Sequence, residues 1–265
     1  MLDALETQVA VYGATESVAG QSVVIERLAA ALRDAAHAVA PPIERLPERI
    51  ALESVIGAVP EALTIGVADD SLEPVGIEAS GAFLLAGPVG SGRSTALQTL
   101  VASFAASSPS AALFHLGGAP SDLATLPGWR LTATGVDAVA GAARELRSVV
   151  AGPATAETRA LVVIEAVSEL LGTAAEAELL ALVKTAKRNR HFVVAESESS
   201  TWSQLWPLLM EFKSARRGFV LQPDSVEGDM LFKTPFGRVK RSEFPPGRGM
   251  LVQGGVARTV QLAVP

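Results

Sequence analysis

The feature that most restricts the fold is the segment AFLLAGPVGSGRSTALQTL at residues 82–100, in which an apolar run leads through a glycine-rich turn into a helical pattern. The turn fits the spacing G-x-x-x-x-G-K-[ST] at every position but one, because Arg93 stands where a lysine is expected. Its glycines allow backbone angles that point consecutive amide N–H groups at one anion. The sequence therefore predicts a phosphate-binding loop, with a glycine turn of no such function as the alternative. The predicted phosphate contacts are Gly87, Pro88, Val89, Gly90, Ser91, Gly92, Arg93, Ser94 and Thr95.

Arg93 is the position that makes this loop unusual. A lysine ammonium is compact, whereas a guanidinium is broader, planar and held by its fork of donors. The substitution keeps the positive charge but alters its placement. We expect the backbone amides to retain a phosphate chain while the contact with the terminal phosphate is weakened.

The apolar run ALVVIEA at residues 160–166 is the candidate partner of the loop, because a buried strand that ends in a carboxylate can hold the shell of a Mg²⁺ ion. Glu165 fills that place, and the Ser94 hydroxyl would be a second contact to Mg²⁺. Ala166 stands where a second acid would orient the attacking water, and losing such a base removes about 10² to 10⁴ in rate. We therefore expect nucleotide binding without efficient hydrolysis. The alternative is that Glu165 is a strand-end carboxylate in solvent.

Apolar strand patterns alternate with helical patterns through the middle of the chain. Helices are predicted over residues 94–106, 136–150 and 174–188, between strand patterns such as AALFHLG and HFVVAES. This alternation predicts an α/β fold with a mainly parallel sheet that is covered on both faces. At the end of the chain, MLVQGGVARTVQLAV predicts a β-hairpin.

The first part of the chain has a different pattern. An amphipathic helix is predicted over residues 22–39 and is followed by a proline-punctuated segment. We interpret residues 1–60 as a linker and flanking helix, and residues 61–265 as the α/β domain.

Composition excludes several classes of function. The 265 residues include no cysteine, which excludes disulfides and thiolate metal sites. Neither a signal peptide nor an apolar run of membrane-spanning length is present. A net charge of -6 disfavours direct DNA binding, although basic loops in a ring of subunits could still hold DNA.

Other candidate residues have structural interpretations that we favour. Arg216 and Arg217 follow a predicted helix, where cations face the C-terminal end of the dipole. Trp202 and Trp206 are assigned to the core, with an exposed docking patch as the second choice.

The three histidines, His37, His115 and His191, lack metal-site spacing, and we interpret them as structural. Glu196 and Ser197 end the strand predicted beside ALVVIEA, where a carboxylate would repel a terminal phosphate. Arg248 is expected to pair locally.

Four stretches occur in a characteristic order between residues 40 and 255: APPIERLPERIALES, LTIGVADDSLEPVGIEASGAFLLAGPVGSGRSTAL, ALVVIEAVSELL and FPPGRGMLVQGG. In this order they resemble the ATPase modules of the FtsK/SpoIIIE type, and most closely a C-terminal module of the actinobacterial type VII secretion ATPases. The recurrence of all four is more specific than the glycine loop alone.

The resemblance implies a RecA-like core, ATP and Mg²⁺ as cofactors, residues 87–95 in contact with ATP and Glu165 beside the metal. It implies further ATPase modules in the same chain or ring, and a missing membrane-anchored portion that would place this module in the cytoplasm. Arg93 and Ala166 depart from the active pattern. The resemblance therefore implies a degenerate module that regulates an active one or docks C-terminal signals of small helical-hairpin substrates.

Two alternatives stay open. A competent ATPase that moves DNA or protein would need an acid other than residue 166 to activate water. A nucleotide-free interaction scaffold would have Arg93 in its own phosphate site, folded back on Glu165 or on a loop carbonyl.

Overall fold

The computed structural model describes residues 11–12, 17–34 and 44–265, and the chain divides into two compact units, Met1–Glu44 and Arg45–Pro265. The first unit contains helix α1, Val18–Asp34. This helix confirms the described part of the prediction for residues 22–39, and residues 35–39 lie outside the described ranges.

The second unit is built on a single large sheet. Its strands are β1 (Leu63–Ala68), β2 (Pro74–Ile77), β3 (Gly81–Gly87), β4 (Ala112–Gly117), β5 (Trp129–Thr134), β6 (Ala160–Glu165), β7 (Phe192–Glu198), β8 (Gly218–Leu221), β9 (Arg248–Gln253) and β10 (Val256–Leu262). Within the described ranges they lie in the order β2-β1-β10-β9-β8-β3-β7-β6-β4-β5. Strands β8, β3, β7, β6, β4 and β5 are mutually parallel, and the other four extend the sheet as antiparallel strands. The mainly parallel sheet and the β9–β10 hairpin were both predicted.

Helices cover both faces of the parallel half. They are α2 (Arg93–Ser107), α3 (Val136–Val149), α4 (Ala174–Arg188), α5 (Ser199–Trp202), α6 (Pro207–Lys213) and α7 (Glu227–Phe232). Helix α2 packs on the face that carries Phe83 and Leu85, whereas α3, α4 and α6 pack on the face that carries Leu84 and Ala86. Burial on both faces explains why β6 is apolar without alternation. No helix in the described ranges is long and apolar enough to cross a bilayer.

Residues 45–60 pack within the second unit. Leu46, Ile50 and Leu52 form a small apolar cluster with Val67 and Ala263. The Leu52 amide also donates to the Val264 carbonyl at 2.7 Å. The division into a flank of residues 1–60 and a domain of residues 61–265 stays a prediction, and the structure adds that residues 45–60 are tied to the end of the sheet.

Candidate functional site

The glycine loop lies where β3 ends and α2 begins, at the carboxyl edge of the parallel strands. Gly90 and Gly92 have φ values of 78° and 99°, which lie in the left-handed region that favours glycine. Gly87 is required for a different reason, because a Cβ at this position would lie 2.6 Å from Ser91 Oγ and 2.9 Å from Leu221 Cβ. The three glycines are therefore needed for the backbone course that was predicted from their spacing.

The first turn of α2 presents unpaired amides. Within residues 44–265, the backbone N–H groups of Gly92, Arg93, Ser94 and Thr95 donate no hydrogen bond to the chain, and the first intrahelical bond runs from the Ala96 amide to the Gly92 carbonyl at 2.8 Å. Free amides at a helix N-terminus attract anions, and the helix dipole adds to this attraction. The loop thus has the geometry of an anion site.

A second turn, at residues 245–249, contacts the glycine loop through a backbone hydrogen bond. The Gly247 amide donates to the Ser91 carbonyl at 3.1 Å, and Ser91 Oγ donates to the Pro88 carbonyl at 2.8 Å. Ser91 is fully buried by these contacts. The PPGRG turn at residues 245–249 therefore supports the glycine loop through a backbone hydrogen bond.

The Arg93 side chain leaves the loop and forms ion pairs with β7. Its Nη1 lies 2.9 Å from Glu196 Oε1, and its Nη2 lies 3.8 Å from Glu198 Oε1. The scaffold alternative in the sequence analysis named Glu165 or a loop carbonyl as the partner, and that detail was wrong. The guanidinium reaches the neighbouring parallel strand because β7 pairs directly with β3.

Glu165 ends β6 and is held by two side chains that are distant from it in sequence. His115 Nε2 lies 2.9 Å from Glu165 Oε2, and the Ser121 hydroxyl donates to the same oxygen at 2.5 Å. Burial raises the pKa of Glu165, but the hydrogen bonds from His115 and Ser121, together with the charge of Arg93, outweigh it and leave the pKa below its ordinary value. Glu165 is therefore an oriented, ionised carboxylate and not a side chain in bulk solvent.

His115 is buried on β4 and was predicted to be structural. An ionised carboxylate only accepts hydrogen bonds, so His115 Nε2 carries a proton and donates it to Glu165, and Nδ1 has no partner among the described residues. The sequence carries no local signal for this contact, because it depends on the pairing of β4 with β6, which places Gly117 opposite Glu165.

Glu196 is the third charged residue of the site. Its Oε2 accepts the Ala166 amide at 3.1 Å while its other oxygen binds Arg93. Burial raises the pKa of Glu196, Arg93 lowers it, and the negative charges of Glu165 and Glu198 raise it further, so the net shift is upward. Ala166 itself has a left-handed backbone with φ 53° and carries no acid.

The remaining sequence candidates have structural roles. Arg217 donates to the carbonyls of Ser80 and Glu78, both at 2.7 Å, and so braces the turn before β3. The prediction that Arg248 pairs locally was wrong, because it bonds Gln261 and also the carbonyls of Leu46 and Pro47, which are far away in sequence. Arg216 is exposed with φ 50°. His191 bonds the Gly152 carbonyl, and His37 lies outside the described residues.

The two tryptophans differ. Trp202 is fully buried and donates to the Leu85 carbonyl at 3.1 Å, as the core assignment predicted. Trp206 is 39% exposed and precedes α6, so its assignment to the core was wrong. No cluster of three or more His, Asp or Glu side chains with metal-site geometry is present in the described ranges.

Two open depressions flank the loop. One, of about 370 Å³, lies beside Pro88 and Val89 and is lined by Glu198, Asp224 and Arg241 among others. The other, of about 500 Å³, lies between the first turn of α2 and the PPGRG turn, and its walls include Thr95, Gln98, Pro245 and Pro246. Both are large enough to take part of a small organic ligand.

Solved structures similar to this one include ATPase domains of the EccC and EssC proteins. The cytoplasmic domain of the Thermomonospora curvata type VII secretion ATPase EccC matches over 95% of this chain with a TM-score of 0.73 and 21% identity. ATPases 2 and 3 of the same EccC, in complex with a signal sequence peptide, match equally well over 95% of this chain. ATPases 2 and 3 of EssC from Geobacillus thermodenitrificans match over 95% with a TM-score of 0.68 and 16% identity.

The chain has the fold of the EccC and EssC ATPase modules. The predicted RecA-like α/β architecture is therefore confirmed. This chain spans 32% of the EccC cytoplasmic domain and about half of the two-module structures, at 50% and 51%. No protein-family model matches the sequence, and no curated protein matches it either.

Proposed function

We propose that this chain is a nucleotide-binding FtsK/SpoIIIE-type module of a multi-domain translocase of the type VII secretion kind, with weak or no hydrolysis of its own. Its partners would be other ATPase modules in the same chain or ring. The observation that carries the proposal is the set of four unpaired amides, residues 92–95, at the start of α2.

The site fits a magnesium nucleotide in part. Backbone amides would hold the phosphates, and Ser94 and Glu165 would lie on the metal side. The wall formed by Thr95, Gln98, Pro245 and Pro246 offers room for a base next to the loop. The bound Mg²⁺ would supply charge neutralisation at the terminal phosphates. Glu165 suits that role because it is oriented and ionised.

Weak hydrolysis follows from two positions. Ala166 has no group that accepts a proton from water, and Arg93 is held by Glu196 at 2.9 Å instead of facing the loop amides. Loss of a general base alone removes about 10² to 10⁴ in rate. Such a module would bind nucleotide as a stabilising ligand of its folded state and of its interfaces.

A regulatory or substrate-docking role would suit a module that binds nucleotide without turning it over. EccC ATPases 2 and 3 were solved with a signal sequence peptide. In this chain, the segment from residue 205 to residue 210 exposes the apolar side chains of Leu205, Trp206 and Met210. Fluorescence anisotropy with a C-terminal signal peptide, on the wild type and on Trp206→Ala, tests docking, and equal binding by both proteins would remove this surface from consideration.

The nucleotide proposal is tested by calorimetric titration with MgATP. Gly90→Val forces a side chain at φ 78° into the loop, and we expect it to weaken binding at least about tenfold. Gly57→Val is the matched control, because Gly57 also has a positive φ of 76° and open space around it, outside the loop. Absence of binding by the wild type at millimolar nucleotide would overturn the proposal.

An active ATPase predicts a different result. Steady phosphate release by the wild type that disappears in Glu165→Gln would contradict the regulatory interpretation and indicate an active motor.

The ion pair of Arg93 and Glu196 favours a second candidate, the nucleotide-free scaffold. In that case the cation of the loop would be permanently neutralised by the protein. A crystal structure grown with ATP that shows an empty loop and an intact pair would select this candidate.

A further inference from the structure

We propose that this loop selects a nucleoside diphosphate over a triphosphate, and that Glu196 is the residue that sets the preference. The inference rests on the proposed function, since it requires that the loop of residues 87–95 binds nucleotide. It differs from that proposal because it names the length of the phosphate chain as the recognised feature.

The geometry at the metal-facing side of the loop is crowded with carboxylates. Glu165 ends β6, while Glu196 and Glu198 end β7, and the Arg93 guanidinium lies among them. The residue at the position of Arg93 is the one that reaches the terminal phosphates in loops of this spacing. Glu196 lies opposite Leu85 of β3, two residues before the loop begins at Gly87, so its carboxylate would border the space that a third phosphate enters.

The position of Glu196 is fixed from two sides. Its Oε1 is 2.9 Å from Arg93 Nη1, and its Oε2 accepts the Ala166 amide at 3.1 Å. Its side chain is only 8% exposed, so it has little freedom to turn into solvent when a ligand arrives. A γ-phosphate would have to displace a buried ion pair, whereas the phosphates nearer the nucleoside would meet the free amides of residues 92–95.

The charges around this space do not favour an additional anion. Within residues 44–265, no lysine and no second arginine forms an ion pair with Glu165, Glu196 or Glu198. Arg93 is therefore the one arginine or lysine in these residues that pairs with Glu196 and Glu198, whereas Glu165 bonds His115 and Ser121. Like charges placed together weaken binding, and such repulsion is a common source of discrimination.

Calorimetric titration with MgADP and with a magnesium complex of a non-hydrolysable ATP analogue tests the inference. For the wild type we expect the diphosphate to bind at least about tenfold more tightly than the triphosphate. Glu196→Gln keeps the size of the side chain and an oxygen for the Ala166 amide but removes the charge. We expect it to bring the two dissociation constants to within about threefold, through tighter triphosphate binding.

Two further variants make the test decisive. Glu198→Gln lies in the same cluster but is half-exposed at 48%, so it should fold normally and shift the ratio in the same direction by less. Glu211→Gln removes a carboxylate from the ion pair with Lys187, near the end of α4 at the opposite edge of the sheet, and should leave the ratio unchanged. A wild type that binds the triphosphate as tightly as the diphosphate overturns the inference and leaves the proposed function standing. So does a ratio that neither Glu196→Gln nor Glu198→Gln alters. A chain and variants that bind neither nucleotide refute both.

Discussion

Arg93 on the glycine loop and Glu196 at the end of β7 form an ion pair of 2.9 Å, in which the carboxylate is almost fully buried and the guanidinium largely so. The pair joins the two structural elements that would surround the end of a phosphate chain. Arginine makes this contact possible because its long, forked side chain reaches a carboxylate on the neighbouring strand. The arginine that stands at position 93 in place of lysine thus has a specific acidic partner, Glu196.

The two buried carboxylates of the site predict opposite pH dependences of stability. Burial raises the pKa of Glu165, but its hydrogen bonds and Arg93 leave the pKa below the ordinary 4.5. Glu165 therefore stabilises the fold above pH 4.5, and this contribution is lost as the pH falls through the folded pKa of Glu165. Burial raises the pKa of Glu196, and the net shift of this pKa is upward. The contribution of Glu196 to the stability of the fold is therefore present below pH 4.5 and is lost as the pH rises through the folded pKa.

Urea denaturation between pH 4 and pH 8 measures this difference. Glu165→Gln should be destabilised relative to the wild type near neutral pH and approach it toward pH 4. Glu196→Gln should gain stability relative to the wild type as the pH rises. Glu211→Gln serves as the control for loss of an ion-paired carboxylate elsewhere. Parallel curves for the two site variants would show that the hydrogen bonds to Glu165 do not govern its ionisation.

Gly87→Ala should destabilise the fold by about 1 to 3 kcal/mol, the usual cost of forcing extra atoms into a packed site. The new Cβ would lie 2.6 Å from Ser91 Oγ and 2.9 Å from Leu221 Cβ. Gly152→Ala is the matched control, because nothing lies within 4 Å of a Cβ there. Equal midpoints of urea unfolding for the two variants would contradict the packing role of Gly87.

Much of the fold could be predicted because its patterns are local. The helix expected over residues 174–188 is α4 to the residue, since Thr173 caps it by accepting the Ala175 amide and Lys187 and Arg188 occupy its last turn. The strand ALVVIEA is β6, whose continuous burial matches its composition. The glycine loop was located from the spacing of its glycines, because each of them is required either by a positive φ or by close packing.

Other elements depend on tertiary contacts and gave no comparable signal. Strand β5, WRLTAT, lies at the edge of the sheet and is only partly buried, so it lacks an apolar run. Helix α6 begins at Pro207, because proline fits the first helical turn, where its missing N–H costs nothing.

The contacts of the site were the least predictable part. Glu165 was identified from its strand, but His115 and Ser121 lie 50 and 44 residues from it in sequence. They meet it because β4 pairs with β6, and the exact register of two strands is not encoded in either strand alone. Glu196 was placed correctly beside that strand, yet its pairing with Arg93 requires the order β3-β7-β6.

Trp202→Phe should destabilise the protein by about 2 kcal/mol or more. The substitution leaves part of a fully buried site empty and leaves the Leu85 carbonyl of the loop strand without its indole donor. Trp206→Phe is the matched control, because Trp206 is partly exposed and donates only to the Gln204 side chain. Urea unfolding followed by far-UV circular dichroism compares them, and a larger loss for Trp206→Phe would contradict the assignment of Trp202 to the core.

Ala166→Gly should stabilise the fold by about 0.5 to 1 kcal/mol. Ala166 holds φ 53° and ψ 51°, a left-handed conformation that costs an L-residue roughly 1 to 2 kcal/mol, and glycine removes this cost while losing some chain entropy. Ala181→Gly, in the interior of α4, supplies the contrast and should destabilise by about 1 kcal/mol. The free energies of unfolding come from urea titrations of the three proteins. A loss of stability in Ala166→Gly would contradict the assignment of backbone strain to residue 166.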